Sequence, residues 1–404
     1  MQFFFPDSQD QIDPRYDFLR EECSPHRVRQ RDEFYAHEAL GDSPYDGILL
    51  SKAVVDGLGS SGRFTAAHRN RLYRDRMHSF YRLRRGDREL LAMGDCGAFA
   101  YVREPTPPYT VDEVIDFYEG CGFDLGFSVD HIVLAFDPDA EADPEWEQRQ
   151  ALTLDLARQF LDRHAARNCT FEPIGVAQGW SPASYAAAVE ELQHIGYSRV
   201  ALGGMVPLKT PEILATLDEV AGVRDADVQI HLLGVTRVES IPLFLEHGVT
   251  SFDSTSPFRQ AFMDADDNYY ALDEAFCAVR IPQSDGNFKL RARIQSGELS
   301  QDEARRLEDD ALNRVRRYAA GAGALSTAVR AVSTYEEFVT GKPARTVDYQ
   351  RTLEARPWEA CDCQICRDVG VEIVIFRGTE RNKRRGFHNL RVFRERLDRT
   401  ALLA

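Results

Sequence analysis

The chain has 404 residues, of which 43% are hydrophobic, and its formal net charge is -16. This size allows one large α/β domain with a small appendage or two to three ordinary domains, and the negative charge argues against a protein that coats nucleic acid nonspecifically. No stretch approaches eighteen uninterrupted apolar residues and no basic segment leads into an apolar run, so we expect a cytoplasmic protein that does not span a membrane.

Short apolar runs bounded by turn residues predict strands near residues 3, 48 and 91. From residue 110 onward, predicted helices and strands alternate regularly. Thr110 and Glu113 form a capping box at the start of a helix, and Ser181 with Pro182 opens another. Further strands are predicted over the ranges 132–136, 171–178, 199–202, 228–233 and 249–253.

This alternation of strands and helices with short connections indicates a parallel sheet. The count reaches about eight strands, which favours a (β/α)8 TIM barrel over an open doubly wound sheet. No Gly-x-Gly-x-x-Gly motif follows any of these strands, so a dinucleotide-binding fold loses its main support.

The alternation stops after the last predicted strand. Residues 258–330 read as a helical excursion, with Ser300 and Glu303 as a capping box. We therefore predict a catalytic barrel domain over residues 1–330, a zinc-binding subdomain over 331–389 and a terminal helix over 390–404 that packs back on the barrel. Within the subdomain, residues 371–376 read as a strand.

A cluster of potential metal ligands lies near the end of the chain, and consists of Cys361, Cys363, Cys366 and His388. Three thiolates and an imidazole complete a tetrahedral zinc site, and no ligand position is left open for chemistry. The sequence therefore predicts a closed, structural Zn²⁺ site. The alternative is a set of scattered free cysteines with an ordinary core histidine.

Two arginine-rich runs stand out of the acidic background, over residues 63–88 and 367–399. For both runs we predict phosphate contacts, and in the second we assign them to Arg381, Lys383, Arg384 and Arg385. The alternative is a solvated charged face, which is the more frequent meaning of such a run.

Polar residues and glycines recur where the predicted strands end: Asp95, Asp130, Gln178, Gly203, Gly204 and Asp253. In a barrel of this type the active site lies at the carboxyl ends of the strands, so these residues are predicted to face one mouth. Singly, Asp95 and Asp130 could equally be helix caps or turn formers.

Several of these motifs resemble those of the tRNA-guanine transglycosylase family. Phe252-Asp253-Ser254-Thr255-Ser256-Pro257-Phe258-Arg259 is similar to the family's nucleophile motif, and the Cys-x-Cys-x-x-Cys run with a distant His-Asn-Leu is similar to its zinc motif. Asp95-Cys96-Gly97-Ala98-Phe99, Gln178-Gly179 and Leu202-Gly203-Gly204 also resemble family segments. The chain departs from the family at Cys96, where a serine is usual, and at Asp130-His131-Ile132 in the base pocket.

The first ninety residues resemble a different branch. Segments 4–10 and 45–52 are similar to the DNA-guanine transglycosylases of bacterial and phage 7-deazaguanine DNA-modification systems. This resemblance implies exchange of guanine in DNA for a 7-deazaguanine base, with 7-cyano-7-deazaguanine favoured, and partner proteins of such a system. An enzyme acting on tRNA and a non-catalytic nucleic-acid-binding subunit of the same fold are the alternatives.

The resemblance also implies roles for the residues at the strand ends. Asp253 would be the nucleophile that forms a covalent aspartyl-sugar intermediate, and Asp95 the general acid and base. Base binding would fall to Asp130, Gln178, Gly203 and Gly204.

Overall fold

The computed structural model describes residues 1–6, 9–58, 64–85, 88–138 and 142–401. Arg63, in the first arginine-rich run, and Asp7 and Ser8, in the segment 4–10, lie outside these residues. The chain divides into two compact units. The first, called the barrel unit, comprises Met1–Gln9, Tyr45–Thr255 and Leu397–Ala404, and the second unit comprises Asp10–Pro44 and Ser256–Arg396.

The barrel unit is built around a closed barrel of eight parallel strands. The first strand pairs with both the second and the eighth, which closes the sheet. This arrangement confirms the predicted (β/α)8 TIM barrel. In chain order the strands are Gln2–Pro6, Gly47–Ser51, Leu91–Asp95, Leu125–Phe127, Glu172–Ala177, Arg199–Leu202, Gln229–Leu232 and Val249–Asp253.

Helices alternate with these strands, as the capping signals predict. The Thr110 hydroxyl accepts a hydrogen bond from the Glu113 backbone, and the Ser181 hydroxyl accepts one from Ser184, so both predicted N-caps form. The α-helices of this unit are Lys52–Asp56, Ala66–Phe80, Val111–Cys121, Pro144–Ala166, Pro182–Ile195, Thr210–Val223 and Ile241–Glu246, with short 3₁₀ helices at Ala98–Tyr101 and Val238–Ser240.

The interior of the barrel is a packed apolar core. Its members come from six of the eight strands, and they are Phe4, Leu49, Met93, Leu125, Phe127, Ile174, Val176 and Ala201. All are almost completely buried. A filled interior prevents the barrel from acting as a pore, and leaves the loops at the carboxyl ends of the strands to build a site.

The fourth strand lies earlier than its sequence suggests. The prediction of a strand over 132–136 is wrong, because Leu125–Phe127 forms the ladder with the third and fifth strands. This strand is only three residues long and contains Gly126, so it has little β-propensity of its own. The apolar residues after it belong instead to a loop in which the Val133 N–H donates to the Gln178 side chain.

The second unit is mainly helical. Its α-helices are Ala36–Ala39, Ser256–Met263, Phe288–Gln295, Gln301–Ala319, Leu325–Thr340, Thr346–Ala355, Pro357–Ala360, Gln364–Val369 and Gly378–Ala401, the last of which runs on into the C-terminal segment. The Ser300 hydroxyl caps Gln301–Ala319, as predicted. No helix in the described part of the chain is long and apolar enough to cross a membrane.

The C-terminal segments differ from their predicted outlines. Most of the predicted strand over 371–376 is a 3₁₀ helix, Gly370–Val374, and only Ile375–Phe376 forms a strand, which pairs with Val279–Arg280. Helix Gly378–Ala401 crosses the predicted boundary at residue 389. The helix also contains the whole basic run, which changes the meaning of that run.

The arginines of the basic run face the interior of the second unit. Arg381, Arg384 and Arg385 are 1%, 4% and 0% exposed, so their burial contradicts the predicted phosphate contacts. Their donors are used internally: Arg381 pairs with Glu21 and Glu372, and Arg384 with Glu380. Arg385 donates to three backbone carbonyl groups, those of Ala261, Ile373 and Ile375, and to the side chain of Asn382.

Lys383, the fourth residue of that prediction, is less enclosed. Its side chain is 22% exposed, and its ammonium group donates to the carbonyl of Gln11 at 2.9 Å. The sequence does not distinguish the two cases, because an arginine-rich helix face has the same pattern whether it is exposed to water or packs on buried carboxylates.

Replacing Arg381 by alanine should destabilise the protein by about 1.5–3 kcal/mol, because Glu21 and Glu372 would each lose a buried cationic partner and keep only Arg377 and Arg316, respectively. The matched control is Arg391→Ala in the same helix, whose pair with Glu395 is about one-third exposed and should contribute less than about 1 kcal/mol. Urea unfolding of the two variants measures both effects. Equal losses would contradict the internal role of Arg381.

Candidate active site and metal cluster

A cavity of about 270 Å³ opens at the carboxyl ends of the barrel strands. Its volume lies just below the range of roughly 300–1,000 Å³ for drug-sized ligands, which suits one small heterocycle. All six residues predicted for the mouth line it: Asp95, Asp130, Gln178, Gly203, Gly204 and Asp253. The structure therefore brings together the residues that the sequence places at separate strand ends.

Asp253 lies at the end of the eighth strand and is held through one oxygen. Its Oδ1 accepts hydrogen bonds from the Gly234 backbone N–H at 2.9 Å and from His231 Nε2 at 3.2 Å. Within the described part of the chain, both of its hydrogen bonds go to Oδ1, so Oδ2 is the oxygen available to a ligand.

His231 is a site residue that the sequence analysis missed. It is completely buried, and its Nδ1 lies 2.9 Å from the hydroxyl of Ser251. Ser251 pairs with His231 across neighbouring strands, and Ser251 and Asp253 share a face of their strand because side chains alternate with a period of two. The alternation of polar residues at 251 and 253 was the sequence signal that could have indicated a polar partner on the neighbouring strand.

Asp95 and Asp130 are carboxyl groups whose pKa is raised. Burial and the negative charge of Asp253 together raise the pKa of Asp95 to about 6, against the hydrogen bonds from the Gly97 and Cys96 backbone, which lower it. Burial, together with the charge of Asp95, raises the pKa of Asp130 to about 7. Both groups can therefore gain or lose a proton near neutral pH.

Gln178 connects Asp130 to the loop after the fourth strand. Its Nε2 donates to Asp130 Oδ2 at 2.7 Å, and its Oε1 accepts from the Val133 N–H at 3.2 Å. Because Gln178 is buried and both ends of its amide are engaged, its orientation is fixed. A planar ligand would meet a rigid polar edge on this side of the cavity.

Gly203 and Gly204 leave room for the amide of Gln178. A Cβ at Gly203 would lie 2.2 Å from Gln178 Nε2, and Gly204 has a φ of +72°, which disfavours other residues. The Tyr185 hydroxyl donates to the Gly203 carbonyl at 2.8 Å and holds the turn in place. Glycine is therefore required here by both close approach and backbone conformation.

Two of the residues that depart from the family pattern, Cys96 and His131, are turned away from this cavity, whereas Ile132 lines it. Cys96 is buried beneath it, with Sγ 3.7 Å from the Tyr118 hydroxyl, and burial raises its pKa well above the usual value. His131 directs Nε2 to the carbonyl of Glu104 at 2.8 Å. Neither residue is among the described residues that line the cavity.

The second unit contains a cluster that can hold a metal ion. The ligand atoms of Cys361, Cys363, Cys366 and His388 lie within 4.8 Å of one another. Each sulfur is 3.4–3.5 Å from His388 Nδ1, close to the separation of about 3.6 Å expected for sulfur and nitrogen ligands of one tetrahedral ion. A single nitrogen lone pair cannot accept from three thiols at once, so a shared cation explains the geometry better.

Neighbouring groups orient these ligands. His388 Nε2–H donates to the Tyr270 carbonyl at 2.7 Å, which leaves Nδ1 directed at the sulfurs, and the imidazole stacks on Tyr269 at 4.1 Å. The Tyr269 hydroxyl and Cys366 Sγ share a hydrogen bond of 3.3 Å. Such outer hydrogen bonds fix the tautomer and the rotamer of a metal ligand.

Comparisons with known proteins indicate the family to which the chain belongs. A family model described as queuine tRNA-ribosyltransferase matches residues 107–301. A DNA-guanine transglycosylase of Salmonella montevideo is 48% identical over 413 aligned positions, which cover 100% of this chain and 98% of that protein. A queuine tRNA-ribosyltransferase of Psychrobacter cryohalolentis is 30% identical over 135 positions, which cover 32% of this chain and 35% of that protein.

The relative that matches over the whole chain defines the class of protein. The chain belongs to the guanine transglycosylase family and is an enzyme of that class, a pentosyltransferase. Because the alignment with the Salmonella montevideo protein covers the whole chain, it includes both the barrel and the cysteine–histidine cluster.

Gly203→Ala should impair substrate use without unfolding the protein, because the added methyl group would displace the Gln178 amide and typically costs about 1–3 kcal/mol of strain. We expect the catalytic efficiency of guanine exchange to fall at least tenfold. Gly222→Ala is the matched control, since a Cβ there has no neighbour within 4 Å. Equal exchange rates for the two variants would contradict the tight fit at Gly203.

Proposed function

We propose that this enzyme replaces guanine in DNA with a 7-deazaguanine base, favouring 7-cyano-7-deazaguanine, through a covalent aspartyl-sugar intermediate. The observation that carries the proposal is one cavity with an oriented carboxylate, Asp253, and a carboxyl group that can carry a proton, Asp95. Exchange at an anomeric carbon with retention requires a nucleophile and a separate proton carrier.

In the first displacement, Asp253 Oδ2 attacks C1′ of the deoxyguanosine. The new bond forms from the oxygen lone pair, the C1′–N9 bond breaks, and its electron pair leaves with guanine, which takes the proton of Asp95. Because the pKa of Asp95 is about 6, roughly a tenth of the molecules carry this proton at pH 7 and most carry it at pH 5.

In the second displacement, the incoming 7-deazaguanine gives its N9 proton to the carboxylate of Asp95. N9 forms the new bond to C1′, and the electron pair of the C1′–Oδ2 bond returns to Asp253. Asp95 thus ends the cycle protonated, as it began, and no external acid or base is consumed.

The base would be held by the remaining residues of the cavity. Asp130 and the amide of Gln178 present a polar edge, and Gly203 and Gly204 allow the backbone to approach the ring closely. The target nucleotide must leave its stack to enter, which costs a few kcal/mol in duplex DNA. Binding to the flanking DNA has to offset that cost.

DNA is the proposed polymer because of the relative that matches over the full chain. That protein carries the name DNA-guanine transglycosylase, whereas the queuine tRNA-ribosyltransferase matches only a third of the chain. The matching family model, however, bears the tRNA name, so tRNA is the second candidate substrate. We also propose that partner proteins of a DNA-modification system act with the enzyme.

Asp253→Ala should abolish both base exchange and any covalent DNA adduct, since Oδ2 is the attacking atom. Incorporation of radiolabelled guanine into duplex DNA and into tRNA measures exchange, and denaturing electrophoresis reveals the adduct. Labelling of tRNA alone would overturn the choice of DNA. A covalent band that persists in Asp253→Ala would overturn the assignment of the nucleophile.

Asp95→Asn provides the matched test of proton transfer, because asparagine keeps the shape of the side chain but cannot release a proton. In the wild type, adduct formation should slow about tenfold per pH unit above pH 6, as the protonated form of Asp95 disappears. In Asp95→Asn, formation should be slow and independent of pH. A wild-type pH profile retained in the variant would contradict this role.

For the metal cluster we propose a structural Zn²⁺ ion held by Cys361, Cys363, Cys366 and His388. Three thiolates with one imidazole are typical of zinc, and all four tetrahedral positions are filled by protein, so the ion has no place in the chemical steps. Its binding would be coupled to the folding of the second unit.

Cys363→Ser should lower the zinc content from one ion per chain towards zero and reduce the thermal stability. Cys169→Ser is the control, because Cys169 lies outside the cluster. Elemental analysis and thermal unfolding of both variants provide the measurement. Unchanged zinc in Cys363→Ser would remove the assignment.

A further inference from the structure

Asp253 has an asymmetric environment that the exchange scheme does not by itself require. Its Oδ1 accepts two hydrogen bonds, from the Gly234 N–H and from His231 Nε2. His231 is completely buried, and its ring packs against Phe4 and Phe127 at centroid distances of 6.1 and 5.3 Å. A polar ring buried among aromatic side chains needs a specific reason for its presence.

The tautomer of His231 follows from its two partners. Oδ1 of a carboxylate can only accept, so the nitrogen that faces it, Nε2, carries the hydrogen. Nδ1 then accepts from the Ser251 hydroxyl, 2.9 Å away. Ser251 therefore acts on Asp253 through the histidine, by keeping the donor on the nitrogen that faces the carboxylate.

We infer that His231, oriented by Ser251 and assisted by the Gly234 N–H, keeps the covalent intermediate short-lived by stabilising the carboxylate that leaves it. The inference rests on the proposed function, since it concerns the same aspartyl-sugar bond. His231 is a positioning residue, because it contacts Asp253 and not the sugar or the base.

The reason lies in the charge of Oδ1 during the reaction. In the free enzyme this oxygen shares the negative charge of the carboxylate, and in the intermediate it is the carbonyl oxygen of a neutral ester. When the incoming N9 bonds to C1′ and the C1′–Oδ2 bond breaks, the electron pair returns to the carboxylate and part of its charge to Oδ1. Hydrogen bonds to a charged acceptor are about twice as strong as those to a neutral one, so both donors favour breakdown of the ester.

The proposed role of His231 can be distinguished from a purely structural role in placing Asp253. A disordered Asp253 would form less adduct and exchange bases more slowly in proportion. Loss of the His231 donor should instead slow breakdown of the adduct by about five- to tenfold, the factor that separates charged from neutral hydrogen bonds. The adduct should then accumulate while exchange falls.

The experiment compares His231→Phe with His231→Gln on the full-length protein. Phenylalanine fills the aromatic surroundings without donating, and glutamine can donate to Oδ1. Each protein is incubated with guanine-containing duplex DNA until a covalent band forms, excess guanine is added, and the decay of the band is followed by denaturing electrophoresis. The control is His164→Phe, because His164 is likewise a donor through Nε2, to the backbone carbonyl of Phe171, but lies on the outer helix Pro144–Ala166.

We expect decay five- to tenfold slower in His231→Phe, close to the wild-type rate in His231→Gln, and unchanged in His164→Phe. Ser251→Ala removes only the group that fixes the tautomer, so it should slow decay in the same direction by a smaller factor and provides the test if His231→Phe fails to fold.

Wild-type decay rates in both His231→Phe and Ser251→Ala would overturn the inference, as would equal slowing in His231→Phe and His231→Gln. A wild-type protein that exchanges guanine without any covalent band would instead overturn the covalent scheme of the proposed function. The two failures are therefore distinguishable.

Discussion

The structure depends on closure of the barrel by the pairing of its first and last strands. In this register Phe4 lies opposite Asp253, while the second strand brings Ser51 beside Asp95. Without closure, Asp253 would lie on an edge strand of an open sheet, with four strands between it and the strand of Asp95. The chemistry therefore relies on backbone hydrogen bonds between residues nearly 250 positions apart in the chain.

Closure also brings three carboxyl groups into one cavity. Each of the three has its own hydrogen-bond donors. Asp253 receives its two donors on one oxygen, Asp130 receives the amide of Gln178, and Asp95 receives backbone N–H groups. The three carboxyl groups are thus chemically distinct although their side chains are identical. This difference is what the proposed exchange scheme requires, because in that scheme one carboxylate attacks and another carboxyl group carries the proton.

The sequence was sufficient for the barrel and for six of the residues that line the cavity, because strand ends and turn residues are local signals. It was insufficient where the conformation or the environment of a residue depends on a partner that is distant in the chain. The fourth strand is short and contains Gly126, so neighbouring strands rather than propensity define it. The arginines from 381 to 385 look solvated until Glu21 and Asp13 are placed beside them, and His231 looks like an ordinary strand residue until Asp253 faces it.

The second unit is assembled from two stretches of chain that the ribosome releases far apart in time. Glu21 receives hydrogen bonds from Arg377, which is 356 residues later. At about 5–20 residues per second, this interval corresponds to roughly 20–70 s of synthesis. For that period the segment 10–44 exists without the helices it packs on, while the strands between 47 and 253 emerge. The second unit can therefore complete its packing only after most of the chain has been synthesised.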